Sequence, residues 1–532
     1  MTLRINFGAI LCLLLFASTA QAQNFTVQLQ PIEITGFNGV QSAASALYNG
    51  KILVLGGRTD GLHKRQPFAT FLTDGNNPLI SVIDPVTGDL FQADVNTLPA
   101  TVVEQLLGTN LQFYQQDSLL ILTGGYGFSP IANEHVTHNK LCVVQLPQLI
   151  DAVVNGQDIA PYFTQVTDDY FMITGGQLGY MDGIYYLVGG HDFFGRYNPM
   201  NHPTFVQQYS NRIKRFTLDF ANGAVSYTIL PDWEDAVNLH RRDYNMLPQV
   251  FPDGSRGFTA FSGVFQEFAD LPYLNSVDIR DTGYTVNNVF QHKLNQYHCG
   301  HAGLYDADQN KMYNLFFGGI SQFYFDSNAE LVQDNNVPFV PTIGLVTRSA
   351  DGSMTEEQLE LMPGLMGAGS EFIIHSDLPV EHDVVQLSEI NLDTFTLGYL
   401  IGGIHSQAPN IFFNNETLSE ATASLYEVRI VPAYSSGIKV LNKTPSILAS
   451  MQLHPNPAVD SAMLEFELDK AGEVVVTLQS PDGKLIVQEY LGVLQQGNHQ
   501  FGFKLQDFPN GVYPVTLSVD QEQKALQLVI MH

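Results

Sequence analysis

Short apolar runs that end in two glycines recur along the first 400 or so residues of the chain. They are "ILVLGG" (Gly56, Gly57), "LILTGG" (Gly124, Gly125), "YLVGG" (Gly189, Gly190), "FTAFSG" (Ser262, Gly263), "NLFFGG" (Gly318, Gly319) and "GYLIGG" (Gly402, Gly403). Most follow a turn and another strand-like run, as in "ALYNGKILVLGG" and "YMDGIYYLVGG". Asn49-Gly50 and Asp182-Gly183 supply the positive φ angles that a tight hairpin needs. A second hairpin follows in several repeats, most clearly "ISVIDPVTGDLFQADV" and "IKRFTLDFANGAVSYTIL". The pattern predicts four strands per repeat and six repeats, an all-β chain built of radial blades. No helical pattern follows the glycines, so they are not a dinucleotide-phosphate cradle, which needs a strand, a glycine turn and a helix in one unit.

These repeats resemble the Kelch family of β-propellers. The resemblance is carried by the six apolar double-glycine motifs and by "VIDPVTG" (Val82 to Gly88), and it spans about Asn24 to Pro432. The chain departs from the family in having a single tryptophan, Trp233, and in repeats longer than the usual spacing, which implies insertions between strands. The implied fold is a six-bladed propeller over residues 23–432. The last repeat offers one clear outer strand, "SLYEVRIVP", while "FTVQLQPIEI" (Phe25 to Ile34) lacks a partner in the first. The two are expected to pair and close the ring, removing an exposed edge.

Residues 433–450 break the pattern and read as a linker. Beyond them, alternating segments such as "EVVVTLQ" and "YPVTLSV", with turns at Asp482-Gly483 and Asn510-Gly511, predict a small β-sandwich over residues 451–532. This tail resembles the type A C-terminal sorting domain of the type IX secretion system. The matching residues are "HPNPA" (His454 to Ala458), "AGEVVVTLQSPDGKLI", "QGNHQF" and "NGVYPVTLSV", in the family's order. The resemblance implies the type IX secretion machinery as a partner. It also implies release from, or attachment to, the outer surface of a Gram-negative cell.

The amino terminus fits that destination. Arg4, an apolar stretch from Phe7 to Ala17 and Ala20-Gln21-Ala22 read as a signal peptide over residues 1–22. No other run is long enough to span a bilayer, so no transmembrane segment is expected in the mature chain. Cleavage leaves only Cys142 and Cys299, which is no disulfide framework. A net charge of −29 repels phosphate backbones and excludes nucleic acid as a partner.

Against that acidity, a few segments concentrate His, Arg, Asp and Tyr. In a Kelch-type blade the loop after the second strand and the loop leading into the first strand open on one face. The resemblance therefore gathers "HDFFGRYN" (His191, Asp192, Arg196, Tyr197), "LHRRDYN" (His240, Arg241, Arg242, Asp243, Tyr244) and "QYHCGH" (His298, His301) around the axis. Arginines there can grip a carboxylate or a sugar acid through paired hydrogen bonds, and tyrosines can stack on a sugar ring. Each of these side chains could instead hold neighbouring blades together. His298, Cys299 and His301 do not make a metal site, because His298 and His301, three apart on a strand, face opposite ways and further ligands are missing. No metal or other cofactor is expected. Three functions remain open: binding of a glycan or protein ligand on this loop face, a carbohydrate-active enzyme of sialic-acid epimerase-like type using the same face, and a purely structural surface protein.

Overall fold

The computed structural model describes residues 25–199, 204–392, 394–411, 417–432, 448–480, 485–506, 508–519 and 522–532. The expected signal peptide, and the linker up to residue 447, lie outside the described residues. The chain divides into two compact units between Tyr434 and Ser435.

The first unit contains six four-stranded antiparallel arrays, numbered here as sheets one to six in chain order. Sheet one is Ala44–Tyr48, Lys51–Leu55, Leu79–Ile83 and Leu90–Asp94. The first strands of the other five begin at Thr109, Gln177, Asn245, His301 and Leu365. Each first strand contacts the first strands of both neighbouring sheets, and sheet six touches sheet one, so the arrangement is a closed ring: a β-propeller. The closing strand is the one expected from the sequence. Phe25–Ile32 forms the outer strand of sheet six, in register from Phe25 opposite Pro432 to Ile32 opposite Leu425. Apolar middle strands fill the space between sheets. Leu53, Leu55, Ile80, Val82, Leu120 and Leu122 are fully or almost fully buried in one such layer.

The double glycines stitch the ring. All six pairs hold two consecutive residues at positive φ, including Ser262 at 58°. In five of them the second glycine's N–H donates to a carbonyl of the next sheet's segment: Gly57 to Gly108, Gly125 to Ile173, Gly190 to Arg241, Gly319 to Met366 and Gly403 to Val40, at 2.7–3.0 Å. In sheet four the Ser262 hydroxyl takes over and donates to Asn295 O at 2.6 Å.

Three features depart from the expected pattern. Two short helices, Ala100–Leu106 and Leu146–Val154, pack on sheets one and two. The second has Leu146, Leu149, Ile150 and Val153 buried at helical spacing, a signal too short to stand out among strands. The insertion after Gly190, expected as a loop, is a hairpin. His191–Gly195 pairs with Phe205–Tyr209 and joins sheet two through Phe194 opposite Val136. Finally, the connection between the first two strands of sheet six carries a small hairpin, Val380–Glu381 with Val384–Gln386. Its second strand runs parallel to the first strand of sheet five, Val385 opposite Leu304. Tyr114 of sheet two donates to its Asp383 at 2.6 Å, and Arg256 of sheet four bonds its Glu381 and His382. The hairpin thus spans the axis at the end opposite the double glycines.

The second unit is a sandwich. One sheet orders Leu448–His454, Ser461–Leu468 and Gly497–Lys504; the other orders Leu485–Leu494, Gly472–Gln479, Gly511–Val519 and Glu522–Ile530. Alternate residues such as Leu464, Phe466, Val474, Val476, Leu517 and Leu528 interleave as its core.

Candidate functional site

At or near the start of each first strand the chain adopts a left-handed conformation, at Ser42, Asn110, Gly175, Asp243, His298 and Gly369. These residues form a collar around the axis. Ser42 N–H donates to Gly369 O, Asn110 to Ser42, Gly175 to Asn110, Asp243 to Gly175 and Gly369 to His298, at 2.6–3.4 Å. Glycine adopts this conformation freely; Ser42 adopts it with a Cβ, and so do Asn110, Asp243 and His298, at an energetic cost that residues at functional sites often carry. Their side chains meet: Asn110 Nδ2 donates to Asp243 Oδ1 at 2.9 Å, and His298 Nδ1 stands 3.9 Å from the same oxygen.

Above the collar lies a cavity of about 230 Å³, lined by residues from all six sheets. Below it a chamber of about 30 Å³, large enough for water, is lined by Asn110, Gln177, Asp243, His298 and Glu371 among others. The Val380–Gln386 hairpin spans the axis beyond.

Five of the eleven residues singled out from the sequence line the upper cavity: His191, Tyr197, Arg242, Asp243 and His298. Tyr197 is fixed by its backbone, whose N–H donates to Tyr126 Oη at 2.8 Å and whose carbonyl accepts from Thr70 at 2.6 Å. Its ring packs among Phe193, Phe205 and His63 with centroids 5.1–5.4 Å apart. The Arg242 guanidinium stands over both Tyr197 (5.4 Å) and Phe265 (5.2 Å). His191 is buried, and its Nδ1 accepts from Gln207 at 2.8 Å, which places the ring proton on Nε2. Burial, reinforced by Arg242 and His240, holds its pKa well below the ordinary value. Burial also lowers His63 and His298. The cavity therefore presents neutral imidazoles that can donate and accept hydrogen bonds near neutral pH.

The other six lie outside the cavity lining. Arg241 is spent on the scaffold: it donates to Asn238 O, Ser262 O, Asn275 O and Asn275 Oδ1 at 2.5–3.1 Å. Tyr244 is buried and donates to Val188 O. His301 contacts the Cys299 carbonyl through Nδ1 at 2.9 Å. His240 stacks on Tyr209 with centroids 3.7 Å apart. Arg196 donates to Phe68 O at 3.1 Å, and Asp192 lies on the inserted hairpin. Cys142 and Cys299 are buried and unbridged, and burial pushes both thiols up to about 12. Among the described residues no group of His, Cys, Asp and Glu is placed to hold a metal.

The sequence reading missed the aromatic wall of Phe71, Phe193, Phe265 and Tyr297, and the collar residues Ser42 and Asn110. A usable signal existed for the collar: Ser42, Asn110 and Gly175 stand at one fixed offset before the double glycine of their own repeats.

Glu371 in the lower chamber gives a pH test of this geometry. Burial pushes its carboxyl up to about 8. The folded state keeps a proton that the unfolded chain releases near the ordinary value, so stability is full below that value and falls as pH rises toward about 8. The slope is up to about 1.4 kcal/mol per pH unit across that window. Glu371→Gln removes the slope. In thermal melts its advantage over wild type is expected to be larger at about pH 8 than at about pH 5; an equal advantage at both would contradict the burial of this carboxyl.

Residues 452–531 match the family described as "Secretion system C-terminal sorting domain". The chain therefore carries a type IX secretion signal and is secreted to the outer cell surface or the extracellular space. Among the described residues no helix is long and apolar enough to cross a membrane. No curated protein matches the chain. Among solved structures it is similar to a fungal alcohol oxidase of the AA5 family in complex with copper, at 12% identity over 95% of this chain and 100% of that one, TM-score 0.38. It is also similar to RS223-β-xylosidase (11%, 77% of this chain and 97% of that one, TM-score 0.30) and to the WD40 domain of SCAP from fission yeast (8%, 95% of each, TM-score 0.31). These likenesses are weak, and no function is taken from them.

Proposed function

We propose that this secreted chain is a Kelch-like propeller that binds the terminal ring of a glycan in its axial cavity, delivered by an amino-terminal signal over residues 1–22 and by the sorting tail. The observation that carries this reading is the convergence of six sheets on one cavity walled by aromatic rings and neutral histidines. Aromatic faces stack on the apolar face of a sugar ring, while imidazoles and Asp243 match its hydroxyls. At about 230 Å³ the cavity is smaller than the ~300–1,000 Å³ of sites for drug-sized ligands, which suits a single ring.

A glycan array probed with the full mature chain tests this. Binding to a restricted set of glycans is expected, with a loss of about two- to tenfold in Tyr197→Ala, since a stacked ring is worth about 0.5–1.5 kcal/mol. Undiminished binding by the variant would move the site elsewhere.

A second reading, catalysis on the bound sugar, is favoured by one observation. Asp243 and His298, both left-handed, meet at 3.9 Å on the cavity floor and could pass a proton between them. Turnover of a bound sugar that is lost in His298→Ala while binding persists would favour the enzyme.

A further inference from the structure

The geometry points to an acidic sugar, one that carries a carboxylate on its ring, as the ligand of the axial cavity, with Arg242 as its clamp. This rests on the glycan-binding reading above and narrows it to a ligand class.

The buried arginines differ in how well their donors are matched. The described chain buries four: Arg58, Arg241, Arg242 and Arg348. Arg58 donates to both oxygens of Asp60, to Asn76 Oδ1 and to Leu72 O at 2.6–3.0 Å. Arg241 makes the four scaffold bonds given above. Arg348 donates to both oxygens of Asp278 and to Thr259 at 2.6–3.1 Å. Each of these has at least three good acceptors.

Arg242 has none of comparable quality. Its Nη2 reaches the Tyr197 hydroxyl at 3.5 Å, its Nη1 stands 3.8 Å from Asp243 Oδ2, and its Nε, like that of Arg348, is buried without a hydrogen-bond partner. Asp243 Oδ1 accepts from Asn110 at 2.9 Å, and its Oδ2 faces Arg242 beyond hydrogen-bond distance. Arg242 is only 8% exposed, and the groups that favour its charge, Tyr197, Tyr209 and Asp243, do so without a paired short hydrogen bond, so its fork is open to an anion. Arg242 lines the cavity, whereas Arg241 and Arg348 do not. The group that completes it must be an anion small enough to share the cavity with the ring held by Tyr197. A carboxylate fits the planar fork through two parallel hydrogen bonds, and the rings of Tyr197 and Phe265 flank that fork at 5.4 and 5.2 Å. The other cation in the lining, Arg58, is neutralised by Asp60 and spends four of its five N–H donors on Asp60, Asn76 and Leu72.

The experiment titrates the full mature chain with matched pairs of methyl glycosides: glucuronate against glucose, galacturonate against galactose, with N-acetylneuraminate as a third acid. At least one acid is expected to bind tenfold or more tighter than its neutral partner, and Arg242→Gln is expected to erase that preference. Should the variant fail to fold, the methyl ester of the preferred acid keeps the test on the wild-type chain, where neutralising the carboxylate is expected to cost the same tenfold. Equal binding of acid, ester and neutral sugar would overturn the carboxylate proposal and leave the glycan reading standing. Failure of every sugar, acid and neutral alike, on both the titrations and the array would overturn both.

Discussion

Removing residues 452–532 is expected to abolish appearance of the protein outside the cell. The tail is a sandwich with its own core of Leu464, Phe466, Val476 and Leu517, and it matches the sorting-domain family over residues 452–531. The propeller closes on itself through Phe25–Ile32 and Leu425–Pro432, without any strand from the tail. The shortened chain should therefore still fold. The expected result is a soluble, protease-resistant propeller recovered from the cell interior, with none at the surface or in the medium. Fractionation with immunoblotting reads this directly. Normal amounts outside the cell would show that the tail is dispensable for export.

The second large effect concerns the ring itself. Gly124→Ala is expected to destabilise the propeller by on the order of 4 kcal/mol, a large part of the ~5–15 kcal/mol that holds a typical native domain together. An added Cβ would lie 1.8 Å from the Ile173 carbonyl oxygen, which no side-chain adjustment can relieve. That oxygen accepts the Gly125 N–H at 3.0 Å, so moving it breaks the stitch between sheets two and three. The backbone at Gly124 is also left-handed, at φ 61°. Gly223→Ala is the control. It too has positive φ, 73°, but its Cβ would meet nothing, so only the cost of about 1–2 kcal/mol for a left-handed residue is expected. Thermal unfolding of the two variants should separate them widely; similar melting temperatures would mean that the stitch contributes little.

These contrasts explain what the sequence could and could not disclose. The double glycines were legible because no other residue meets both demands, positive φ and backbone contact, and because the demand recurs in every sheet. Ser262 is the informative exception: its hydroxyl replaces the missing bond by reaching Asn295. The closing strand was legible from an unpaired run at each end of the repeats. The loop face was legible as a region, since topology alone brings "HDFFGRYN", "LHRRDYN" and "QYHCGH" together.

Individual roles were not legible. Arg241 and Arg242 are adjacent and chemically identical, yet one turns into the scaffold and finds four acceptors while the other lines the cavity. Tyr244 and His301 look equally reactive on paper, but their polar atoms are taken up by Val188 O and Cys299 O. Such pairings depend on carbonyls from distant segments, which no local pattern encodes. The hairpin Val380–Gln386 escaped notice for a similar reason. Its strands are two and three residues long, and its partner is the first strand of another sheet.

A ligand that enters the axial cavity touches the collar of several sheets at once. Hydrogen–deuterium exchange of the mature chain, with and without the tightest-binding glycan from the array, tests it. Protection is predicted in collar segments of several separate sheets at once, around Ser42, Asn110, Asp243 and His298, with the sorting domain unchanged. Protection confined to a single outer hairpin, or to residues beyond 448, would contradict it.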